Sequence, residues 1–166
     1  QRLFEHYRDV RIVYASSSTA HEQWKNPYAM SKYGMEQLDH INSVGMRFTT
    51  VYGPGARVDM LIPKILRNDV QYLNINHIRD FIHVNDVVNA VDIMMNNTFR
   101  GVVDVGTGIS NKLVDIANYF KIDFKSVMGD ETERLDNTAD ISILNKFGWR
   151  AKTNLYNYIE ENRNVN

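Results

Sequence analysis

Cysteine is absent from this chain of 166 residues, so disulfide bonds and thiolate metal sites are excluded. No apolar run approaches the ~20 residues that a membrane-spanning helix needs, and none resembles the apolar segment of a signal peptide. Neither sign of charge is in excess, since 19 basic residues are interspersed with 20 acidic ones. This balance argues against a nucleic-acid-binding arm or a basic membrane patch. The five histidines show no zinc-binding spacing. We therefore expect a cytoplasmic protein without a metal site that binds neither nucleic acid nor a membrane.

The order of the predicted elements is typical of an α/β fold with a mainly parallel sheet. Predicted strands at 10–15, 45–52, 72–75, 81–84, 102–105 and 124–127 are interleaved with predicted helices at 28–40, 60–67, 85–95, 111–120, 140–147 and 154–162. Asn85 or Asp86 is expected to cap the third of these helices, and Thr153 the last. His83 lies in an apolar run and is expected to be a core histidine. Residues 2–7 have the pattern of a helix tail, so we expect the chain to begin within a domain.

Tyr28 and Lys32 are four residues apart in a segment that opens with a helix-start signal. Asn26 is suited to the N-cap and Pro27 to the first helical turn. At this spacing the phenol and the ammonium group lie on one face of the helix. An ammonium beside a phenol favours the phenolate, so such a tyrosine is suited to exchanging a proton with a substrate hydroxyl. The alternative is a surface lysine and a half-buried tyrosine on an ordinary amphipathic helix.

Hydroxyl side chains follow the first predicted strand. The apolar residues of that strand lead into Ser16, Ser17 and Ser18. Ligands of open α/β sheets bind at the carboxyl ends of the strands, where these hydroxyls are expected. The alternative is that the serines satisfy backbone groups of a turn.

Several motifs resemble, in their order, the extended short-chain dehydrogenase/reductase family, which contains NAD-dependent nucleotide-sugar epimerases and dehydratases. The matching stretches are residues 14–17 (YASS), 27–32 (PYAMSK), 46–55 (MRFTTVYGPG), 62–64 (IPK), 79–87 (RDFIHVNDV), 104–108 (DVGTG) and 139–149 (ADISILNKFGW). No single stretch is specific, but their order along nearly the whole chain is. The resemblance implies the C-terminal part of a Rossmann-type, mainly parallel, doubly wound sheet, together with a small α/β substrate-binding region.

The resemblance also implies a division of the chain. Residues 1–55 would be the remaining part of the NAD-binding Rossmann domain, and residues 56–166 mainly a substrate-binding region with some segments returning to the Rossmann sheet. The family's G-x-x-G-x-x-G turn is absent from the sequence. We therefore expect that the N-terminal half of the Rossmann domain is missing and that this polypeptide alone binds NAD weakly or not at all. Gly106-x-Gly108 has Asn111 in place of the third glycine and is expected to be a tight turn without a cofactor.

The resemblance assigns catalytic roles to Ser17, Tyr28 and Lys32. Tyr28 is the implied acid/base, Ser17 hydrogen-bonds the reacting sugar oxygen, and Lys32 binds the nicotinamide ribose; Ser16 and Ser18 are the alternatives to Ser17. The implied cofactor is NAD, with NADP left open, and the implied partners are a nucleotide-sugar substrate and a second copy of the chain in a homodimer. The implied cofactor-binding residues are Ala15, Ser16, Tyr28 and Lys32.

The implied substrate-binding residues are Ser17, Thr50 and Arg79. In the family, an arginine at the position of Arg79 pairs with the nucleotide diphosphate, which a planar guanidinium suits. The alternative is a surface ion pair with Asp80 or Asp86. Thr50 stands where the family usually has asparagine, so it lacks the amide's second donor.

The implied activity is nucleotide-sugar epimerisation through transient oxidation at a sugar carbon. Family 4,6-dehydratases carry an Asp-Glu pair directly after the serine or threonine, because elimination of water needs a further acid and base. Here Ser18 and Thr19 hold those positions, and Glu22 is out of frame, which favours an epimerase. The alternatives left open are a 4,6-dehydratase or decarboxylase of the same family, and a non-catalytic fragment that binds sugar nucleotides.

Overall fold

Short helices and strands alternate through the residues that the computed structural model describes, which are 2–38 and 41–163. The helices are α1 (Arg2–His6), a 3₁₀ helix (Ser18–Glu22), α2 (Pro27–Glu36), α3 (Leu61–Leu66), α4 (Val84–Met95), α5 (Leu113–Tyr119), α6 (Ser142–Lys146) and α7 (Leu155–Arg163). The strands are β1 (Ile12–Ser17), β2 (Ser43–Phe48), β3 (Thr50–Tyr52), β4 (Tyr72–Asn74), β5 (Ile78–Arg79), β6 (Phe81–His83), β7 (Gly101–Val105), β8 (Asn111–Lys112) and β9 (Lys125–Val127).

The largest sheet in the described part of the chain has three parallel strands in the order β1-β2-β7. Parallel neighbours need a crossover connection, and α2 lies in the connection from β1 to β2. The register places Ser16 beside Arg47 and Arg47 beside Asp104, so these three residues form one row across the sheet. The predicted mainly parallel α/β fold is confirmed. The division of the chain at residue 55 stays a prediction, although β7 does return to the sheet of β1.

The single strand predicted at 45–52 is wrong, because the chain changes partners at Thr49. The amide of Thr49 still bonds to Val105 of the first sheet at 3.0 Å. The next amide, that of Thr50, bonds instead to the carbonyl of Asp80 at 3.0 Å. β3 therefore pairs with β6, in parallel and outside the first sheet. This change of partner carries the chain from the first sheet to the smaller strand pairs.

Two apolar clusters support the two regions of the fold. The cluster of the first sheet contains Val44, Met46, Ile82, Ala90, Met94, Val103, Val105, Leu144 and Trp149. The cluster of the second region contains Tyr52, Ile62, Ile65, Val70, Leu73, Phe81, Leu113, Ile116, Ala117, Phe120, Ile122, Leu155 and Ile159. Burying one such aliphatic side chain contributes about 1.5–3 kcal/mol. Together the clusters hold rigid the elements that carry the polar residues described below.

Two predicted helix caps are wrong. α4 begins one residue earlier than predicted, and the Nδ1 atom of His83 accepts the hydrogen bond from the Asn85 amide at 3.2 Å. His83 is also 6% exposed, so the prediction of a core histidine is confirmed. α7 is capped by Asn154, whose Oδ1 atom accepts from the amides of the second and third residues of the helix, whereas Thr153 donates its own amide to Asp86. The end predicted for α2 at residues 39 and 40 lies outside the described residues.

Candidate active site

One cavity contains most of the predicted site residues. It has a volume of about 630 Å³ and lies where β1 and β2 end, and Ser17, Tyr28, Thr50 and Arg79 all line it. The carboxyl edge of a parallel sheet is the usual place for a ligand in an open α/β fold. The rest of the lining comes from Ser18, Thr19, residues 48–57, Met60, Val84 and Asn137, and no aspartate or glutamate is among the described residues that line it.

Ser17 ends β1 with an extended backbone and is 9% exposed. Its Oγ atom accepts hydrogen bonds from the amide of Thr19 at 3.3 Å and from the hydroxyl of Thr19 at 2.9 Å. Because both partners donate to Ser17, its own proton has no acceptor among the residues described. The Ser17 hydroxyl is therefore available to donate to a ligand oxygen in the cavity.

Tyr28 and Lys32 project from the start of α2. Asn26 caps the helix by accepting from the Ala29 amide at 2.8 Å, and Pro27 is the first helical residue, as predicted. The Lys32 ammonium lies 5.7 Å from the centre of the Tyr28 ring and donates to the carbonyl of Ala15 at 3.1 Å. An ammonium has three protons to donate, so two remain without an acceptor in the described part of the chain. Tyr28 is 55% exposed, which leaves its ring open to a ligand.

Ser16 is directed away from the cavity. Its hydroxyl donates to the carboxylate of Glu36 on α2. The same carboxylate forms a bidentate ion pair with Arg47 on β2, with distances of 2.9 Å to Nε and 2.6 Å to Nη2. Ser16 could contact a cofactor only through its backbone, and its predicted cofactor-binding role, like that of Ala15, stays a prediction.

His21 of the 3₁₀ helix extends this polar row to β7. Its Nε2 atom lies 2.8 and 2.9 Å from the two carboxylate oxygens of Asp104, and its Nδ1 atom lies 3.1 Å from Nη1 of Arg47. The row of Ser16, Arg47 and Asp104 is therefore completed by side chains from the 3₁₀ helix and from α2. These contacts hold the 3₁₀ helix, which follows Ser17, and α2, which carries Tyr28, against the sheet.

Arg79 is held by the protein on one side and open on another. Its Nη1 atom donates to the carbonyls of Ile78 at 2.8 Å and Leu135 at 2.9 Å, and its Nη2 atom donates to Nδ1 of His77 at 2.9 Å. Burial lowers the pKa of the Arg79 guanidinium below its ordinary value. Nε has no acceptor among the described residues. Because Arg79 can only donate, Nδ1 of His77 is the unprotonated nitrogen, and burial lowers the pKa of His77 as well.

The alternative ion pairs of Arg79 with Asp80 or Asp86 are not formed. The Asp86 carboxylate accepts from the amides of Lys152 at 3.1 Å and Thr153 at 3.0 Å, just before α7. The carboxylate of Asp80, 0% exposed, is occupied by the turn after β7. Both aspartates therefore accept hydrogen bonds from backbone amides and do not pair with Arg79. The nearest carboxylate to Arg79 among the described residues is that of Glu133, at 3.8 Å.

The Gly106-x-Gly108 turn wraps around Asp80. One carboxylate oxygen accepts from the amide of Thr107 at 2.8 Å and from its hydroxyl at 2.6 Å, and the other accepts from the amide of Gly108 at 2.8 Å. A Cβ atom at position 106 would lie 2.4 Å from that second oxygen, so glycine is required there. The turn is thus filled by a carboxylate of the protein itself, in agreement with the predicted tight turn.

Asn137 is a cavity residue that the sequence did not indicate. It is 7% exposed, and its Oδ1 atom accepts from the Asp80 amide at 2.7 Å, which fixes the orientation of the amide group. Its Nδ2 atom donates to the hydroxyl of Thr50 at 3.0 Å. Thr50 therefore has a side-chain amide beside it, supplied from 87 positions further along the chain. No local pattern could have revealed this, because the contact depends on tertiary structure.

Comparison with known proteins identifies the family of the chain. The model of the NAD dependent epimerase/dehydratase family matches residues 3–106, more than half of the chain. The chain belongs to this family. CDP-abequose synthase of Salmonella typhimurium is 28% identical over 84% of the chain, and ADP-L-glycero-D-manno-heptose-6-epimerase of Brachyspira hyodysenteriae is 29% identical over 72% of it. The chain spans about half the length of these family members, 56% and 48% respectively.

The fold is also that of solved structures. MoeE5 in complex with UDP-glucuronic acid and NAD has a TM-score of 0.82 at 24% sequence identity, with 98% of this chain and 67% of MoeE5 covered. Within residues 2–38 and 41–163, no helix is both long and apolar enough to cross a membrane. The same residues contain no group of three or more acidic or histidine side chains arranged to hold a metal ion. The family and the fold are thus established, whereas the residue roles, the homodimer and the cytoplasmic location stay predictions.

Proposed function

We propose that the protein is an NAD-dependent nucleotide-sugar epimerase and that the described cavity is its catalytic and substrate-binding site. Family membership supports NAD-dependent chemistry, with NADP left open. The lining supports a sugar nucleotide, because the hydroxyls of Ser17 and Tyr28 and the guanidinium of Arg79 line the same cavity. A nucleotide sugar has both a reacting hydroxyl for the first two side chains and a diphosphate for the guanidinium.

The described residues divide the work between them. Tyr28 accepts the proton of the reacting sugar hydroxyl and later returns it. Ser17 donates its unused proton to the same sugar oxygen and orients it. Arg79 donates from Nε to a phosphate oxygen, and the Thr50 hydroxyl, which accepts from Asn137, is left to donate to a neighbouring oxygen.

The residues around Lys32 fit the nicotinamide end of the cofactor. Two ammonium protons of Lys32 are without acceptors in the described structure, and they suit the two hydroxyls of a ribose. Tyr28 lies beside them and is half exposed. When bound, NAD supplies a reversible two-electron acceptor for the sugar carbon. Lys32 would hold the ribose beside the Tyr28 ring, whose centre lies 5.7 Å from the ammonium.

The absence of acidic residues from the described cavity lining favours the epimerase over a dehydratase. Elimination of water needs a further acid and base beside the reacting carbons. Ser18 and Thr19 occupy the positions after Ser17, and Glu22 forms an ion pair with Lys25 at 3.0 Å without lining the cavity. An epimerase needs only the acid/base that Tyr28 provides, so this observation carries the proposal.

Replacement of Tyr28 tests the proposal. In the full-length protein, Tyr28→Phe should lower kcat for nucleotide-sugar epimerisation by ~10²–10⁴-fold, because a positioned acid/base contributes that much. The affinity for the nucleotide sugar should change little. Turnover is measured by NMR detection of the epimer with a panel of nucleotide sugars. Tyr33→Phe is the matched control, since Tyr33 is on the same helix but is not among the cavity-lining residues.

Three results would contradict the proposal. Near wild-type turnover by Tyr28→Phe would remove this residue from the chemistry. Release of water from the sugar would favour the dehydratase alternative. Tight binding of a nucleotide sugar without turnover by the wild-type protein would favour the non-catalytic binding alternative.

A further inference from the structure

Residues 132–135, here called the strap, connect the start of the proposed catalytic helix to Arg79. Each of the four makes a polar contact with another part of the chain. The carbonyl of Thr132 accepts from the side chain of Asn26 at 2.9 Å, and the carbonyl of Glu133 accepts from Lys25 at 2.8 Å. Asn26 is the cap of α2. One end of the strap is therefore hydrogen-bonded to the residue two positions before Tyr28.

The next two residues of the strap contact two residues that line the cavity. The guanidinium of Arg134 donates from Nη1 to the carbonyl of Ser18, the residue after Ser17. The carbonyl of Leu135 accepts from Nη1 of Arg79 at 2.9 Å. Two consecutive residues thus touch the segment that carries the reactive hydroxyl and the proposed phosphate-binding group.

These contacts are almost entirely polar. The Arg134 side chain is 16% exposed, with its Nε atom 3.7 Å from the carboxylate of Glu22. The remaining residues of the strap are exposed, and Leu135, its only aliphatic side chain, is 44% exposed. The strap is therefore held by directed hydrogen bonds, which fix distance and orientation. Arg134 is its least exposed residue.

We propose that Arg134 is a positioning residue that sets Ser17 and Ser18 at a fixed distance from Arg79. The inference rests on the proposed function, because one rigid ligand must reach both places. If the phosphate is held at Arg79, a displacement of Ser17 moves it away from the sugar oxygen. A misplacement of about 1 Å can reduce a rate ~10²-fold. Arg134 itself does not line the cavity, so it acts through Ser18 and touches no ligand.

The test separates turnover from phosphate binding. In the full-length protein, Arg134→Met should lower kcat by about tenfold or more and leave the affinity for the free nucleoside diphosphate unchanged, because Arg79 keeps its own contacts. Arg134→Lys retains a donor and should recover part of kcat. Arg163→Met is the matched control: Arg163 also donates to a backbone carbonyl, that of Phe120, at 2.6 Å, but away from the cavity.

Wild-type kcat in Arg134→Met would overturn the inference. A loss of nucleoside diphosphate affinity as large as the loss of kcat in the same variant would also overturn it. If Arg134→Met does not fold, Arg134→Gln, which lacks the guanidinium but keeps a polar side chain, is measured in its place against the same two criteria. Amide hydrogen exchange of residues 17–22 gives a readout that is independent of catalysis. Faster exchange there in Arg134→Met, but not in Arg163→Met, is expected, and unchanged exchange would overturn the inference even if the wild-type protein turned over no nucleotide sugar.

Discussion

At the scale of the residue, Arg79 combines burial with incomplete hydrogen bonding. Three protein acceptors orient its guanidinium, and burial lowers its pKa. A bound anion would therefore stabilise the positive charge that burial disfavours. A nearby carboxylate does not fill that role, since Glu133 is half exposed and 3.8 Å away. The Arg79 guanidinium is thus oriented by the protein and only weakly paired, as the phosphate-binding role that we propose for it requires.

Replacement of Arg79 should weaken the diphosphate and the nucleotide sugar together. Charged hydrogen bonds of this kind contribute on the order of 1.5–3 kcal/mol, so Arg79→Ala should reduce both affinities by about 10–100-fold. Arg79→Lys keeps the charge but loses the planar fork and should recover only part of the loss. Calorimetric titration of both ligands measures this. Loss of affinity for the nucleotide sugar alone would instead place Arg79 against the sugar.

Arg57 is the control residue for Arg79. It lines the same cavity, but its side chain is 76% exposed and forms an exposed ion pair with Asp59 at 3.5 Å. Such an ion pair holds a flexible side chain weakly, so Arg57→Ala should have the smaller effect. If the two arginines share one phosphate, the double variant will lose less than the sum of the single losses.

How far single residues can be predicted from the sequence depends on how local their causes are. Tyr28 and Lys32 share a helix face because a spacing of four ensures it, and Ser17 lies at a strand end because apolar residues precede it. The bond from Ser16 to Glu36 spans 20 positions, and the bonds that bring Asn137 to the cavity span 57 and 87 positions. Those contacts depend on which elements pack together, which the motifs do not encode.

At the scale of the element, α2 is positioned at both ends. Its start is capped by Asn26, and its last residue, Glu36, is paired with Arg47 of β2. The Glu36 side chain is 1% exposed and that of Arg47 is 18% exposed, so the pair is largely removed from water. Tyr28 and Lys32 lie between these two anchors. The orientation of the proposed catalytic face therefore depends on the ion pair.

Breaking the Glu36–Arg47 pair should be costly, because the largely buried Arg47 then keeps only the more distant carboxylate of Asp104, at 4.0 Å. Glu36→Gln should lower the free energy of unfolding by about 3 kcal/mol, as measured by urea denaturation. Arg47→Met in the Glu36→Gln background should recover part of this loss, since the buried cation that has lost its nearest carboxylate is then removed. Asp59→Asn, which breaks the exposed pair with Arg57, is the control and should have no measurable effect. Strictly additive losses in the double variant would show that the two side chains do not interact.

The elements whose ends are set by local chemistry were the easier ones to predict. Asn26 and Pro27 mark the start of α2 correctly, and Gly148, at φ +79°, follows α6 as a helix stop should. The division of the 45–52 segment into β2 and β3 was not predictable, because an apolar run does not reveal which strand it pairs with. The cap of α4 was missed because His83 is a rarer cap than asparagine or aspartate.

At the scale of the whole molecule, Asp80 joins parts of the chain that are far apart in sequence. Its backbone accepts from the Thr50 amide and donates to Asn137. Its carboxylate accepts from the turn after β7 and from the amide of Ala139 at 3.2 Å. The region of the first sheet, the cavity wall and the segment after the strap therefore meet at one fully buried side chain.

Asp80→Asn should lower the stability of the whole protein. Each carboxylate oxygen accepts two hydrogen bonds, one oxygen from the amide and hydroxyl of Thr107 and the other from the amides of Gly108 and Ala139. In either orientation, the NH₂ group of asparagine would face two donors, and a buried donor left without an acceptor costs about 1–3 kcal/mol. We expect a loss of about 3 kcal/mol in the free energy of unfolding. The loss is measured by urea denaturation, with the fluorescence of buried Trp149 as the probe. Asp92→Asn is the matched control, because Asp92 is exposed on α4. A loss no larger than that of Asp92→Asn would show that the Asp80 carboxylate does not hold these segments together.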